Sequence, residues 1–148
     1  MKHDALSEVY CSVARTWSVI GQRWTILILR QAFRGTTRFD DFQRSLGLGR
    51  NLLADRLRLL VEEGIFTREA YQVRPERHEY RLTEKGVDLY PVLLSLMRWG
   101  DRYKVDKPPV RLIHKSCGRP ADPQLTCSHC AQPISYYDAR AEYEPDAW

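Results

Sequence analysis

Residues 39–64, FDDFQRSLGLGRNLLADRLRLLVEEG, place two short amphipathic segments on either side of a Gly47-Leu48-Gly49 break. In the second segment Leu53, Leu57, Leu60 and Val61 recur at i, i+4, i+7 and i+8, so a helix over residues 50–63 lines them on one face. Asn51, Asp55 and Arg58 then point the other way. In the first segment Phe39, Phe42 and Leu46 face inward, Asp40 and Asp41 suit the first turn, and Gly47 ends the helix. The charge order of the second helix is reversed from what its macrodipole favours: Arg50 and Asn51 open it and Glu62-Glu63 close it. A partner outside the helix is the expected reason.

The flanking segments fill in the fold. Residues 6–20, LSEVYCSVARTWSVI, read as one amphipathic helix with Leu6, Val9, Tyr10, Val13, Trp17 and Ile20 on its apolar stripe, broken by Gly21. The block RWTILILRQAFRG is apolar nearly all round; its length and Gly35 favour a helix over a strand. After Gly64, Tyr80 and Leu82 alternate with Glu79 and Arg81, and QVRPER reads as a turn, which predicts a two-stranded hairpin over residues 65–83 with Pro75 at its turn. Thr83 is the expected N-cap of a last long helix, kinked at Pro91 and ended before Pro108-Pro109. No internal repeat stands out. The expected architecture is mainly α with a small β-hairpin, a winged helix-turn-helix over residues 1–107, followed by a short cysteine-containing extension over 108–148.

Charge follows the same division. Residues 1–107 hold 19 Lys and Arg against 14 Asp and Glu, whereas 108–148 hold 4 against 5. From Arg15 to Arg58 every basic residue is arginine, the side chain that grips phosphate with a two-pronged planar fork. In a helix-turn-helix the second helix enters the major groove N-terminus first. Arg50, Asn51, Ala54, Asp55 and Arg58 are therefore the candidate base-reading positions, since arginine pairs bidentately with guanine and asparagine with adenine. Glu62 and Glu63 would lie far from phosphate. The alternative is a solvated face on which Asp55 simply pairs with Arg58. Arg74 and Arg77 at the hairpin tip, and Arg38 ahead of the first of the two helices, are candidate DNA contacts as well. Arg56 lies nearer the core edge and either binds phosphate or packs its stem.

The segments CSVARTWSVIGQRWTILILRQAFRGTTRFDDFQRSLG, NLLADRLRLLVEEGIFTR and HEYRLTEKG resemble the HxlR family of bacterial winged-helix transcription regulators, over about Cys11 to Tyr103. Its most specific blocks match Arg23–Leu29 and Tyr80–Gly86. Ser12 stands where the family usually has proline, and Gly21-Gln22-Arg23 where it usually has Gly-Gly-Lys. The resemblance implies a homodimer built from the first and last helices of the winged domain, residues 6–20 and 87–103. It also places Cys11 where redox-sensing members keep a reactive cysteine. A lone helical cysteine is otherwise a small buried hydrophobe, although Arg15 one turn on would favour the thiolate.

The other three cysteines cluster in the extension. His114-x2-Cys117-x9-Cys127-x2-Cys130 joins two short chelating pairs, the spacing of a closed tetrahedral structural zinc site with three sulfurs and one nitrogen. His129 is the rival fourth ligand. A Cys127–Cys130 dithiol switch and an unmetallated tail are the alternatives. So short a tail cannot fold on apolar burial alone, and a metal would supply the difference.

These readings combine into a DNA-binding transcription regulator, expected to be a homodimeric repressor of a palindromic operator, responsive to an oxidant or a small molecule. The rivals are a thiol-disulfide or zinc-dependent enzyme and a protein–protein adaptor on a winged fold. Four filled coordination positions would leave no open site for zinc catalysis. The longest apolar stretch, TILILRQAF, is far too short to span a bilayer, and the first residues form no apolar signal core. The expected setting is cytoplasmic, with no membrane partner.

Overall fold

A computed structural model describes residues 4–147. Element order is α1 (Asp4–Glu8), α2 (Ser12–Ile20), α3 (Thr25–Phe33), α4 (Phe39–Leu46), α5 (Arg50–Glu62), β1 (Phe66–Val73), β2 (Glu76–Leu82), α6 (Glu84–Val87) and α7 (Tyr90–Tyr103). The described residues fall into two compact units. One runs to Tyr90 and includes residues 144–147; the other is Pro91–Tyr143.

The first unit is a winged helix-turn-helix. α3, α4 and α5 bury Ile28, Leu29, Phe42, Leu53, Leu57 and Leu60 completely, and Ile65 and Phe66 continue this core into the hairpin. Burying a side chain of this size stabilises by about 1.5–3 kcal/mol, so the three leucines fix the rotation of α5. Gly47, at φ 65°, makes the left-handed turn out of α4. β1 and β2 pair antiparallel from Phe66↔Leu82 to Val73↔Glu76 around a turn at Arg74-Pro75. A bulge interrupts the register between Ala70 and Gln72. The Tyr80 amide donates to the Thr37 carbonyl at 2.7 Å, so the hairpin hangs on the chain just ahead of α4.

Two boundaries differ from the sequence reading. The helix expected over 6–20 is two helices, because Cys11 is extended (φ −147°) and caps α2 instead of continuing α1. The expected kink at Pro91 is a break between α6 and α7, with Pro91 in the first turn of α7, where its missing N–H is no loss. Thr83 caps α6 as expected; its hydroxyl accepts from the Gly86 amide at 3.1 Å.

The second unit consists of α7 and the extension. Along α7, Val92, Leu96, Trp99 and Tyr103 form an exposed stripe. The extension carries two turns with one backbone wiring, a repeat that the sequence reading lacks. His114 N–H donates to the Arg119 carbonyl, Gly118 to His114 and Ala121 to Leu112. Cys127 donates to Gln132, Ala131 to Cys127 and Ile134 to Leu125 in the same way. No described residue from 108 onward is buried.

A Cβ added to the buried Gly86 would run into the Ile65 carbonyl oxygen. Backbone cannot retreat as a side-chain tip can, so Gly86→Ala is expected to lower unfolding stability by about 1–3 kcal/mol. Chemical denaturation of the full chain measures this.

Candidate nucleic-acid interface

The α5 face opposite its leucines carries Arg50, Asn51, Asp55 and Arg58, all exposed, with Ala54 half-buried between them. Nothing acidic occupies the first turn, and Gly49 caps the helix without a side-chain bond. The helix therefore presents unsatisfied amides and arginine together at its leading end, a surface suited to an anion. Arg50 stacks its guanidinium over the Phe39 ring, 5.0 Å from the centroid, and reaches Asp40 at 3.6 Å. Arg58 donates to Asp55 at 3.1 Å. The solvated Asp55–Arg58 pair raised as an alternative is thus present, on the same surface as the candidate reading positions.

Beside this helix, α4 and the hairpin enclose a cleft of about 540 Å³. Arg38, Arg44, Arg50, Arg68 and Arg77 line it, with Tyr71, His78 and the acids Asp40, Asp41 and Glu76. Arg38 lies over the Tyr71 ring at 4.4 Å, Arg44 pairs with Asp41 at 3.3 Å, and Arg68 contacts His78 Nδ1 at 3.1 Å. The structure thus brings Arg38, Arg50 and Arg77 to one cleft. Arg74 stands apart at the exposed turn, its carbonyl accepting from Gln72 at 3.3 Å. Arg68, Tyr71, His78 and Arg44 are cleft residues that the sequence reading missed. Strand alternation in TREAYQV would have signalled Arg68, but the bulge that places Tyr71 leaves no local signature.

Other arginines are committed elsewhere. Arg56 donates from Nε to the Arg23 carbonyl at 3.1 Å, tying α5 to the chain before α3. Arg81 donates twice to Glu79, at 2.9 and 2.7 Å, and these bonds hold its charge still more firmly than usual. Burial and the nearby Arg34 push the guanidinium of Arg30 the other way.

Residues 19–108 match the profile of the HxlR-like helix-turn-helix family. The chain belongs to that family. An HTH-type transcriptional regulator of Mycobacterium tuberculosis, Rv3095, is 48% identical over 136 residues, 90% of this chain and 86% of the relative. Among solved structures, PA1607, reported as a candidate transcription factor, superposes at a TM-score of 0.83 with 40% identity, covering 95% of this chain and 99% of that one. The redox regulator HypR in its reduced form gives 0.58 and 34% identity over 63% of this chain and 95% of its own. This HxlR-like chain is accordingly a transcription regulator with a helix-turn-helix DNA-binding fold. Among the described residues no helix is long and apolar enough to cross a membrane.

The cysteines are all free thiols. Cys11 is half-buried at the N-terminus of α2, where Arg15 donates from Nε to the Val9 carbonyl at 2.8 Å. In the extension Cys117 Sγ lies 3.6 Å from His114 Nδ1, and Cys127 and Cys130 share the second turn. Among the described residues no three His, Cys, Asp or Glu side chains stand close enough together to hold an ion.

Arg56 and Arg50 separate structure from recognition. Arg56→Ala is expected to cost about 1 kcal/mol of stability through its lost bond to Arg23. Its DNA base preference should match that of the unaltered protein in parallel denaturation and binding assays.

Proposed function

We propose that this HxlR-like regulator is a homodimeric repressor that reads a palindromic operator with paired copies of α5. The carrying observation is the surface formed by the exposed α5 face and the arginine-lined cleft beside it. Arg50, Asn51, Ala54, Asp55 and Arg58 enter the major groove; Arg38, Arg74 and Arg77 meet phosphate and set register. The intramolecular pairs Arg50–Asp40 and Arg58–Asp55 are exposed, and such pairs contribute only about 0–1 kcal/mol. They release their arginines to DNA at little cost.

Pairing of two copies is supported by apolar surface that one chain leaves exposed. Tyr10, Val13 and Trp17 expose 54%, 76% and 56% of their area at the start of the molecule, and the Val92-Leu96-Trp99-Tyr103 stripe is exposed on α7. Patches of this kind mark association sites. A two-fold dimer sets its reading helices about 34 Å apart, one turn of B-DNA.

The signal in this reading is an oxidant acting at Cys11. HypR, a redox regulator, shares the fold and 34% of the aligned sequence. Cys11 sits at the break between α1 and α2, beside the exposed apolar surface, so a change in its sulfur alters the segment proposed to pair.

Selection of bound duplexes from random DNA tests the whole reading. A palindrome with half-sites about 10 bp apart is expected. Arg50→Ala or Asn51→Ala should cost about 1–3 kcal/mol at one base position per half-site. Arg74→Ala should weaken all sequences alike and reduce the salt slope by about 1. Equal losses on specific and scrambled DNA for all three variants, or a monomer in sedimentation, would overturn it. Cys11→Ser should bind DNA normally and ignore oxidant.

A further inference from the structure

We infer that the extension is a zinc module, with one ion held between two matched turns by His114, Cys117, Cys127 and Cys130. The first argument is repetition. Each ligand position in residues 112–121 recurs thirteen residues on: His114 at Cys127, Cys117 at Cys130, Gly118 at Ala131 and Pro120 at Pro133. The three backbone bonds that shape one turn shape the other, with matching lengths of 2.8–2.9 Å. An isolated bridge closes each, Ile113↔Pro120 and Thr126↔Pro133. Two copies of one chelating turn are what a four-coordinate ion requires, two ligands from each.

The second argument is backbone conformation. The residue after each second ligand is left-handed, Gly118 at φ 68° and Ala131 at φ 60°. Glycine adopts this freely, but alanine does so at a cost of about 1–2 kcal/mol. The turn at Cys127–Cys130 carries that strain with no residue fully buried to offset it. A turn of this shape aims backbone N–H groups at the first sulfur. Cys127 Sγ accepts from the Cys130 and His129 amides.

The third argument is distance. A tetrahedral zinc ion spaces a sulfur and a nitrogen ligand about 3.5–3.6 Å apart, given bonds near 2.3 and 2.0–2.1 Å. Cys117 Sγ and His114 Nδ1 are 3.6 Å apart. The fourth argument is what else could hold the segment. It has no buried side chain and no disulfide, yet both turns are regular. Segments this small need a metal or a crosslink where burial fails them. The two pairs stand as separate half-sites, since no three such side chains converge among the described residues. In this proposal one ion joins the two pairs, taking two ligands from each. Three thiolates and one imidazole favour zinc over hard cations. Within the same unit Arg98 donates to Asp122 at 3.0 Å, fastening the loop between the turns to α7.

The full chain, purified in reductant, is assayed for metal and titrated with cobalt as a spectroscopic stand-in. One zinc per chain and tetrahedral cobalt bands with sulfur charge transfer are expected. Cys117→Ser, Cys127→Ser, Cys130→Ser and His114→Ala should each weaken binding at least tenfold against a chromophoric chelator. Cys11→Ser and His129→Ala should bind as the parent does. Chelation should loosen both turns and speed tryptic cleavage after Arg111, Lys115 and Arg119. Retention of less than half an ion per chain after zinc addition would overturn the site, as would a Cys127–Cys130 disulfide persisting in reductant. Loss of binding in His129→Ala alone would overturn the assignment of His114.

Discussion

The winged unit depends on the leucine row of α5 against Phe42 and Phe66. Leu53, Leu57 and Leu60 are wholly buried, so α5 cannot rotate about its axis without exposing one of them. That constraint turns Arg50, Asn51, Asp55 and Arg58 outward as a set. Phe66, whose ring lies 6.4 Å from both Phe42 and Tyr80, carries the same core into the hairpin. The Tyr80–Thr37 backbone bond then fixes where the hairpin stands relative to α4. Helix α5 and the hairpin are placed by one core, and a side chain lost from it would disturb both.

On that frame the arginines serve two ends. Arg56 and Arg81 are tied to groups that hold the fold, whereas Arg50 and Arg58 are tied to exposed acids on the surface they would use. Exposed pairs contribute little and are easily exchanged. Asp40, Asp41 and Asp55 offset the charge of Arg50, Arg44 and Arg58 on this surface; in the proposed function they would hold the places that phosphate and bases take. This also accounts for a modest net charge of +4 on a nucleic-acid-binding fold. The extension follows other physics, because its regular turns are not organised around buried apolar surface.

Much of this was legible in the residues. Apolar periodicity marked α3, α4, α5 and the hairpin, the reversed charge order marked the face of α5, and HEYRLTEKG marked the join between hairpin and α6. Periodicity failed at Cys11, where the apolar pattern runs through a break that no glycine or proline announces. It failed again at Tyr71, where a bulge sets the side chain against Arg38. The repeat in the extension is faint in sequence, since histidine stands opposite cysteine and glycine opposite alanine; only the shared hydrogen bonds make it plain.

The sequence by itself determined the local elements, the family and the chemistry on offer: a leucine face, an arginine-rich surface and two chelating pairs. Side-chain spacing along one segment suffices for those. Tertiary structure decided which arginines face a common cleft and which are tied down, and that the two cysteine-bearing turns are copies of each other. The arginine outcomes rest on contacts between residues far apart in the chain, such as Arg56 with Arg23, and no local pattern encodes a partner that folding alone brings near.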